Sequence, residues 1–198
     1  MYGVIYADPP WTYRDKAKAG KRGAGDQYSL LTVSQLCELP VARLALDDCA
    51  LLLWATWPLL PDALAVGAAW GFEYRTAGFV WAKFGKPLEL PLFGIHALGK
   101  LRWGMGKWTR ANTEPCLLFV RGKPKRASAG VHQVLTDTPG RHSAKPPEAR
   151  DRIVQLFGDV PRVELFARER VPGWSAWGLD VDSDARVCAV LGEPGAQP

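Results

Sequence analysis

The run Tyr2-Gly3-Val4-Ile5-Tyr6-Ala7-Asp8-Pro9-Pro10-Trp11 (YGVIYADPPW) decides how the rest of the chain is read. Valine, isoleucine and tyrosine dominate residues 2–7, the mark of a buried strand. Two consecutive prolines then end any hydrogen-bonded ladder. A carboxylate, Asp8, is thereby left at the carboxyl end of a core strand. In open α/β sheets, ligands bind beyond those ends, so residues 8–11 are the first place to look for a site.

Working outward, residues 12–28 are rich in Lys and Gly and read as a loop. Thr32 with Gln35 three positions on is a capping-box signal for a short helix to about Leu39. Residues 50–55 (ALLLWA) read as a second buried strand, bounded by Asp47-Asp48 and Pro58. Leu60, Leu64 and Ala68 have helical spacing within 58–70, with Gly71 as the stop. Residues 74–81 and 116–121 (CLLFVR) read as strands, and 84–112 and 122–145 as long loops. Pro146-Pro147 suits the first turn of a helix to about Phe157, and Gly158 suits its end. Residues 162–167 (RVELFA) read as a last clear strand, 171–182 as an extended segment and 193–198 as a frayed end. Strands alternating with helices predict an α/β fold, a mostly parallel sheet with helices on both faces. The expected division is one domain over 1–182 and a tail over 183–198.

The 198 residues suffice for one domain with a sizeable core. No apolar run approaches the roughly 20 residues of a membrane helix. The start lacks the basic-then-apolar layout of a signal peptide, which predicts a cytoplasmic protein. Cys37, Cys49, Cys116 and Cys188 are widely spaced with no C-x-x-C pair, so buried free thiols are expected rather than disulfides or zinc ligation. His96, His132 and His142 have no ligand spacing, and no metal is expected. Net charge is +5. Its basic residues cluster at Arg14, Lys16, Lys18, Lys21 and Arg22, and again over 100–126. Basic loops flanking a site suit a polyanion.

The residue types at 8–11 suit chemistry on the exocyclic amine of a base. Its nitrogen lone pair is delocalised into the ring, so the amine is a poor nucleophile. Two acceptors for its hydrogens favour a more tetrahedral nitrogen. Asp8 supplies one, and the carbonyl of Pro9, stiffened by its own ring and by Pro10, supplies the other. Trp11 supplies a stacking face. Such a base must be flipped out of a duplex or already single-stranded. The carboxylate also stabilises positive charge developing on the nitrogen.

D-P-P-W after an apolar strand resembles the signature of the N6-adenine methyltransferase family that includes the catalytic subunit of the messenger-RNA adenosine methyltransferase and many bacterial and phage members. Further blocks resemble that family in order. These are Leu53-Trp54-Ala55-Thr56, Phe79 to Lys83, Gly104-x-Gly106 through Glu114, His142-Ser143-x-Lys145-Pro146, and Glu164 to Arg168 followed by Gly173-Trp174 and Trp177-Gly178. The resemblance implies a Rossmann-like methyltransferase fold with permuted motif order, the catalytic strand first and the cofactor block last. It implies S-adenosylmethionine as the cofactor. By the resemblance, Lys145 pairs with the cofactor carboxylate and Arg168 contacts its ribose. Phe166 and Ala167 line its pocket, with Gly178 and Asp180 nearby and Asp8 within reach of its amine. Leu179 stands where the family usually has Asn, which puts that polar contact in doubt unless Asp180 replaces it.

For the target strand, Lys100, Trp103, Lys107, Trp108 and Arg110 combine charge with aromatic faces. Arg14, Lys16 and Arg22 are expected to close over the site. The expected activity is N6-adenine methylation of nucleic acid, with DNA favoured because the chain is short and lacks zinc fingers. RNA methylation, or a non-catalytic nucleic-acid-binding subunit keeping the fold, are the alternatives.

Overall fold

In a computed structural model, the described residues are 1–12, 30–85, 88–90, 95–97, 99–104, 106, 108–137 and 144–195. The opening strand, β1 (Tyr2–Ala7), lies inside a seven-stranded sheet and is buried along its whole length. The other strands are β2 (Ala45–Trp54), β3 (Glu73–Lys83), β6 (Thr113–Arg121), β7 (Val134–Asp137), β8 (Arg162–Leu165) and β9 (Ser175–Trp177), in the order β7-β3-β6-β2-β1-β8-β9. β1 pairs in parallel with β2 and β8, β8 with β9, and β3 with β7. Only β6 runs against the rest, antiparallel to both β2 and β3. A separate hairpin joins β4 (Leu88–Leu90) and β5 (Ile95–Ala97).

Alternation along β1 divides the core in two. Ile5 and Ala7 pack on the face covered by α1 (Val33–Glu38), α2 (Leu60–Ala69) and α4 (Ala185–Leu191), through Leu36, Ala63, Val66 and Val187. Val4 and Tyr6 face the other way, against Ala149 and Ile153 of α3 (Glu148–Phe157). Helices on both faces explain why the strand reads as an apolar run rather than an alternation. The capping box of α1 forms as expected: the Thr32 hydroxyl accepts the Gln35 N–H, and the Gln35 carboxamide oxygen accepts the Thr32 N–H. Gly158 ends α3 with φ +77, a conformation that carries no penalty in the absence of Cβ.

Several expected boundaries shift. β2 begins at Ala45, not 50. Its early rungs are held by Tyr2 pairing with Ala45 and by Asp48, whose carboxylate accepts the Lys123 N–H at 2.7 Å. The acidic pair is therefore an exposed part of the strand rather than its border. The segment 122–145, expected as loop, contains β7, which is legible only through its pairing with Val80–Lys83. The segment 84–112 likewise contains the β4–β5 hairpin. The last strand before the site stops at Leu165 because Phe166 turns to φ +61. The expected tail over 183–198 opens with α4, and Val187 is fully buried, so the packed unit continues past 182. Of the four thiols expected to be buried, Cys49 and Cys116 are, whereas Cys37 and Cys188 are half-buried, and all are free. No helix among the described residues is long and apolar enough to cross a membrane.

Candidate functional site

Three parallel strands and one antiparallel strand bring their ends to a single edge. Asp8 follows β1, Phe166 follows β8, Trp54 closes β2, and Thr113 and Glu114 open β6. Lys145 enters this edge from the segment leading to α3. Its ammonium lies 2.8 Å from both oxygens of Asp8, 3.7 Å from Glu114 and 5.5 Å from the centre of the Trp54 ring. Glu114, buried to 8% exposure, also takes Lys83 at 3.1 Å. The result is a chain of alternating charges, Asp8–Lys145–Glu114–Lys83. Burial works against the charge on Lys145, but the Asp8 and Glu114 carboxylates outweigh it and hold its pKa above the ordinary value. An ammonium fixed on both Asp8 oxygens gives that carboxylate a charge-assisted partner.

Beside this chain is a cavity of about 270 Å³, lined by Tyr6, Asp8, Lys145, Glu164, Phe166 and Arg168, together with Ala144, Arg150, Glu169 and Asp180. Arg150 reaches it from α3 and grips Glu164 with two hydrogen bonds, at 2.7 and 3.0 Å, and Glu169 at 2.9 Å. Burial pushes the Glu164 carboxyl up, and Arg150 counters this only in part. Arg150 keeps its charge because the same carboxylates raise its pKa. At the floor, the Tyr6 hydroxyl accepts the Trp54 indole N–H at 2.7 Å, and burial pushes its pKa well above the usual range.

The predicted residues divide into groups. Asp8, Lys145, Phe166, Arg168 and Asp180 converge on the cavity. Ala167 is buried, and its N–H donates to the Trp177 carbonyl. Gly178 sits against it so closely that a Cβ would fall 2.2 Å from the Ala167 oxygen, so the glycine is needed for the approach of two backbones. Phe166 packs its ring edge against Trp177, 5.3 Å between centroids. Leu179 is half exposed and lies outside the lining of the cavity, where Asp180 is found. The Lys145 ammonium is in the cavity, but its partner there is Asp8 rather than an open position.

Trp11 differs from expectation. It is 7% exposed, belongs to the core, and donates its indole N–H to the Trp54 carbonyl at 3.0 Å. It therefore fixes the exit of β1 and leaves little face for stacking. The Pro9 carbonyl already accepts the Trp11 N–H at 2.9 Å, which leaves it one lone pair. The Pro10 carbonyl accepts the Leu31 N–H, so the two ends of segment 12–30 are pinned together.

Trp103 and Trp108 are 76% and 92% exposed, Lys100 is exposed, and the Arg110 guanidinium lies 4.5 Å over the Trp103 ring. Arg14, Lys16, Arg22 and Lys107 lie outside the described residues, as does His142. Sequence reasoning missed Lys83, Glu114, Arg150 and Glu164 as parts of the site. Glu114 and Glu164 sit in strands whose apolar neighbours mask them. Arg150 has the same helical face as buried Ala149 and Ile153 only loosely, and no sequence spacing links it to Glu164.

A family model described as MT-A70 matches residues 2–180. Over 97% of its length the chain is 33% identical to the Type II methyltransferase M.MunI of a Mycoplasma species, covering 83% of that protein. It is 29% identical to the N6-methyladenosine RNA methyltransferase MTA1 of Pyricularia oryzae, over 91% of this chain and 47% of that one. It is 27% identical to the human N(6)-adenosine-methyltransferase catalytic subunit METTL3, over 91% of this chain and 28% of that one. The chain thus spans most of the first relative and less than half of the other two.

Proposed function

This chain belongs to the MT-A70 family, and on that premise we propose that it transfers a methyl group from S-adenosylmethionine to the N6 amine of adenine in DNA. The observation that carries this reading is the Asp8 carboxylate, at the carboxyl end of β1, gripped by Lys145 at 2.8 Å beside a charged cavity. DNA is favoured over RNA because the likeness to a Type II methyltransferase is stronger and covers more of both chains than the likeness to the RNA methyltransferases.

The lining of the cavity suits the cofactor by its chemistry. Lys145 and Arg168 are cations for a carboxylate, and Glu164, Glu169 and Asp180 are acceptors for an ammonium or ribose hydroxyls. Phe166 offers an apolar wall. When bound, S-adenosylmethionine supplies an already electrophilic methyl group whose leaving group departs uncharged. The protein's part is then to orient the amine and stabilise its developing charge. Asp8 accepts one N6 hydrogen and the remaining lone pair of the Pro9 carbonyl accepts the other. Lys145 holds Asp8 in one orientation, so little reorganisation accompanies the appearance of positive charge on nitrogen. The proton is lost afterwards to Asp8 or to water, and no strong base is needed.

The exposed loop with Lys100, Trp103, Trp108 and Arg110 supplies phosphate and stacking contacts to the target strand. Transfer of labelled methyl from S-adenosylmethionine to unmethylated DNA and to RNA, followed by nucleoside analysis, tests the reading. N6-methyladenine in DNA is the expected product; transfer to RNA alone would reverse the choice of polymer.

A further inference from the structure

A flipped adenine aimed at Asp8 needs an aromatic surface, and Trp11 is buried with its N–H already committed. Among the described residues, the exposed large aromatics are Trp57, Tyr74, Trp103 and Trp108. Tyr74 lies at the opposite end of the sheet, near the start of β3, in edge contact with Phe119. Trp103 and Trp108 belong to the loop that returns to the end of β3, where Arg102 N–H meets the Lys83 carbonyl, two strands away from β2. Trp57 alone comes straight off β2, the strand hydrogen-bonded to β1.

Trp57 is 45% exposed, yet it is not loose. Its indole N–H donates to the Thr113 hydroxyl at 2.8 Å. Thr113 precedes Glu114, whose carboxylate is 3.7 Å from the Lys145 ammonium that holds Asp8. An anchored ring edge with an open face is a preorganised stacking platform. The same place carries a second signal. Among the described residues, the buried side-chain polar atoms without a hydrogen-bond partner are Thr56 Oγ1 and Glu114 Oε2. They lie at one level, Thr56 two residues past the end of β2 and Glu114 in β6: Trp54 pairs with Cys116, and the Ala55 N–H donates to the Pro115 carbonyl. Glu114 Oε2 faces the Lys145 ammonium at 3.7 Å, which leaves the buried Thr56 hydroxyl as the group that calls for an explanation. Thr56 adjoins Trp57, and its hydroxyl can donate to a ring nitrogen of an adenine whose N6 hydrogens are taken by Asp8 and Pro9.

We propose that Trp57 is the stacking face for the target adenine, with the Thr56 hydroxyl beside it donating to a ring nitrogen of the base. The proposal rests on the methyltransferase reading above. The test is steady-state methyl transfer to sheared unmethylated genomic DNA by the wild type, Trp57→Ala and Trp57→Phe, together with calorimetric titration of S-adenosylmethionine. Loss of one base–aromatic stack corresponds to roughly a tenfold rise in KM for DNA in Trp57→Ala. Trp57→Phe should recover most of that loss, since it keeps the ring and loses only the Thr113 bond. Cofactor affinity should stay within about twofold in both, because Trp57 does not line the cofactor cavity. An unchanged KM in Trp57→Ala overturns the proposal, as does an equal fall in DNA and cofactor binding, which marks a structural role. A wild type that methylates no polymer overturns the methyltransferase reading itself, a result distinct from either.

Discussion

The carboxyl edge of β1 and the loop over residues 99–110 are both charged and aromatic, but they are built in opposite ways. At the edge, Asp8, Lys145, Glu114 and Lys83 are largely buried and bonded to one another, and Arg150 binds two carboxylates at once. In the loop, Trp103 and Trp108 stand in solvent, and Arg110 has a ring rather than a carboxylate as its described neighbour. Buried ion pairs rarely add net stability, so a connected set of them at one strand edge is better explained by preorganisation for chemistry. Exposed aromatics and cations on a loop suit a polymer whose backbone is charged and whose bases stack. The difference separates reaction from recognition, and it can be attacked from either side.

The largest effect should come from Asp8→Ala. Removing the acceptor that faces the developing charge should lower the turnover number by about 10³-fold, while the Kd for S-adenosylmethionine changes by less than roughly tenfold. Loss confined to cofactor binding would make Asp8 a ligand residue and remove it from the chemistry.

Arg150→Met comes next. It strands Glu164, buried at 8% exposure, beside Glu169 and Asp8. The expected cost is about 3 kcal/mol in urea unfolding at pH 7.5. The carboxyl pKa of Glu164 is already raised by burial, and in the variant it rises further. A raised carboxyl favours the folded state when protonated, so the deficit should shrink as pH falls from 8 toward 5. Adding Glu164→Leu should restore most of the stability. A deficit independent of pH would show that packing, not charge, was lost.

On the loop side, Lys100→Ala and Arg110→Ala should weaken DNA binding without touching single-turnover chemistry at saturating DNA. Each should lower the slope of log K against log salt by about one unit per phosphate contact removed. A wild-type slope in both would remove these side chains from the backbone footprint.

The smallest effect concerns thiols. Burial pushes the Cys49 thiol up to about 12, so it should resist iodoacetamide at pH 8 in the folded protein, while the half-buried Cys37 and Cys188 react ahead of it. Mass spectrometry of the labelled peptides checks the order.

Much of the chemical edge was legible in the amino-acid sequence, because strand periodicity and two prolines put Asp8 where a parallel sheet presents ligands, and helix signals at Thr32 and Gly158 are local. Ionic partners were not legible. Lys145 and Asp8 are 137 positions apart, and Arg150–Glu164 unites a helix with a strand. β7 escaped notice because a four-residue edge strand has too little pattern to stand out from a polar segment. Trp11 was misplaced because a Trp after D-P-P reads equally as a stacking face or a core plug, and only its bond to the Trp54 carbonyl tells which. The reverse holds for Trp57, which looks like an ordinary helix entry until its anchored edge and open face are seen.

The account turns on Asp8 acting on adenine, and the most direct measurement is methyl transfer from labelled S-adenosylmethionine to unmethylated DNA by the wild type and Asp8→Ala, with the product nucleosides separated. The account predicts N6-methyladenine from the wild type and a yield about 10³-fold lower from Asp8→Ala. Equal yields from the two proteins, or a methylated nucleoside other than N6-methyladenine, would contradict it.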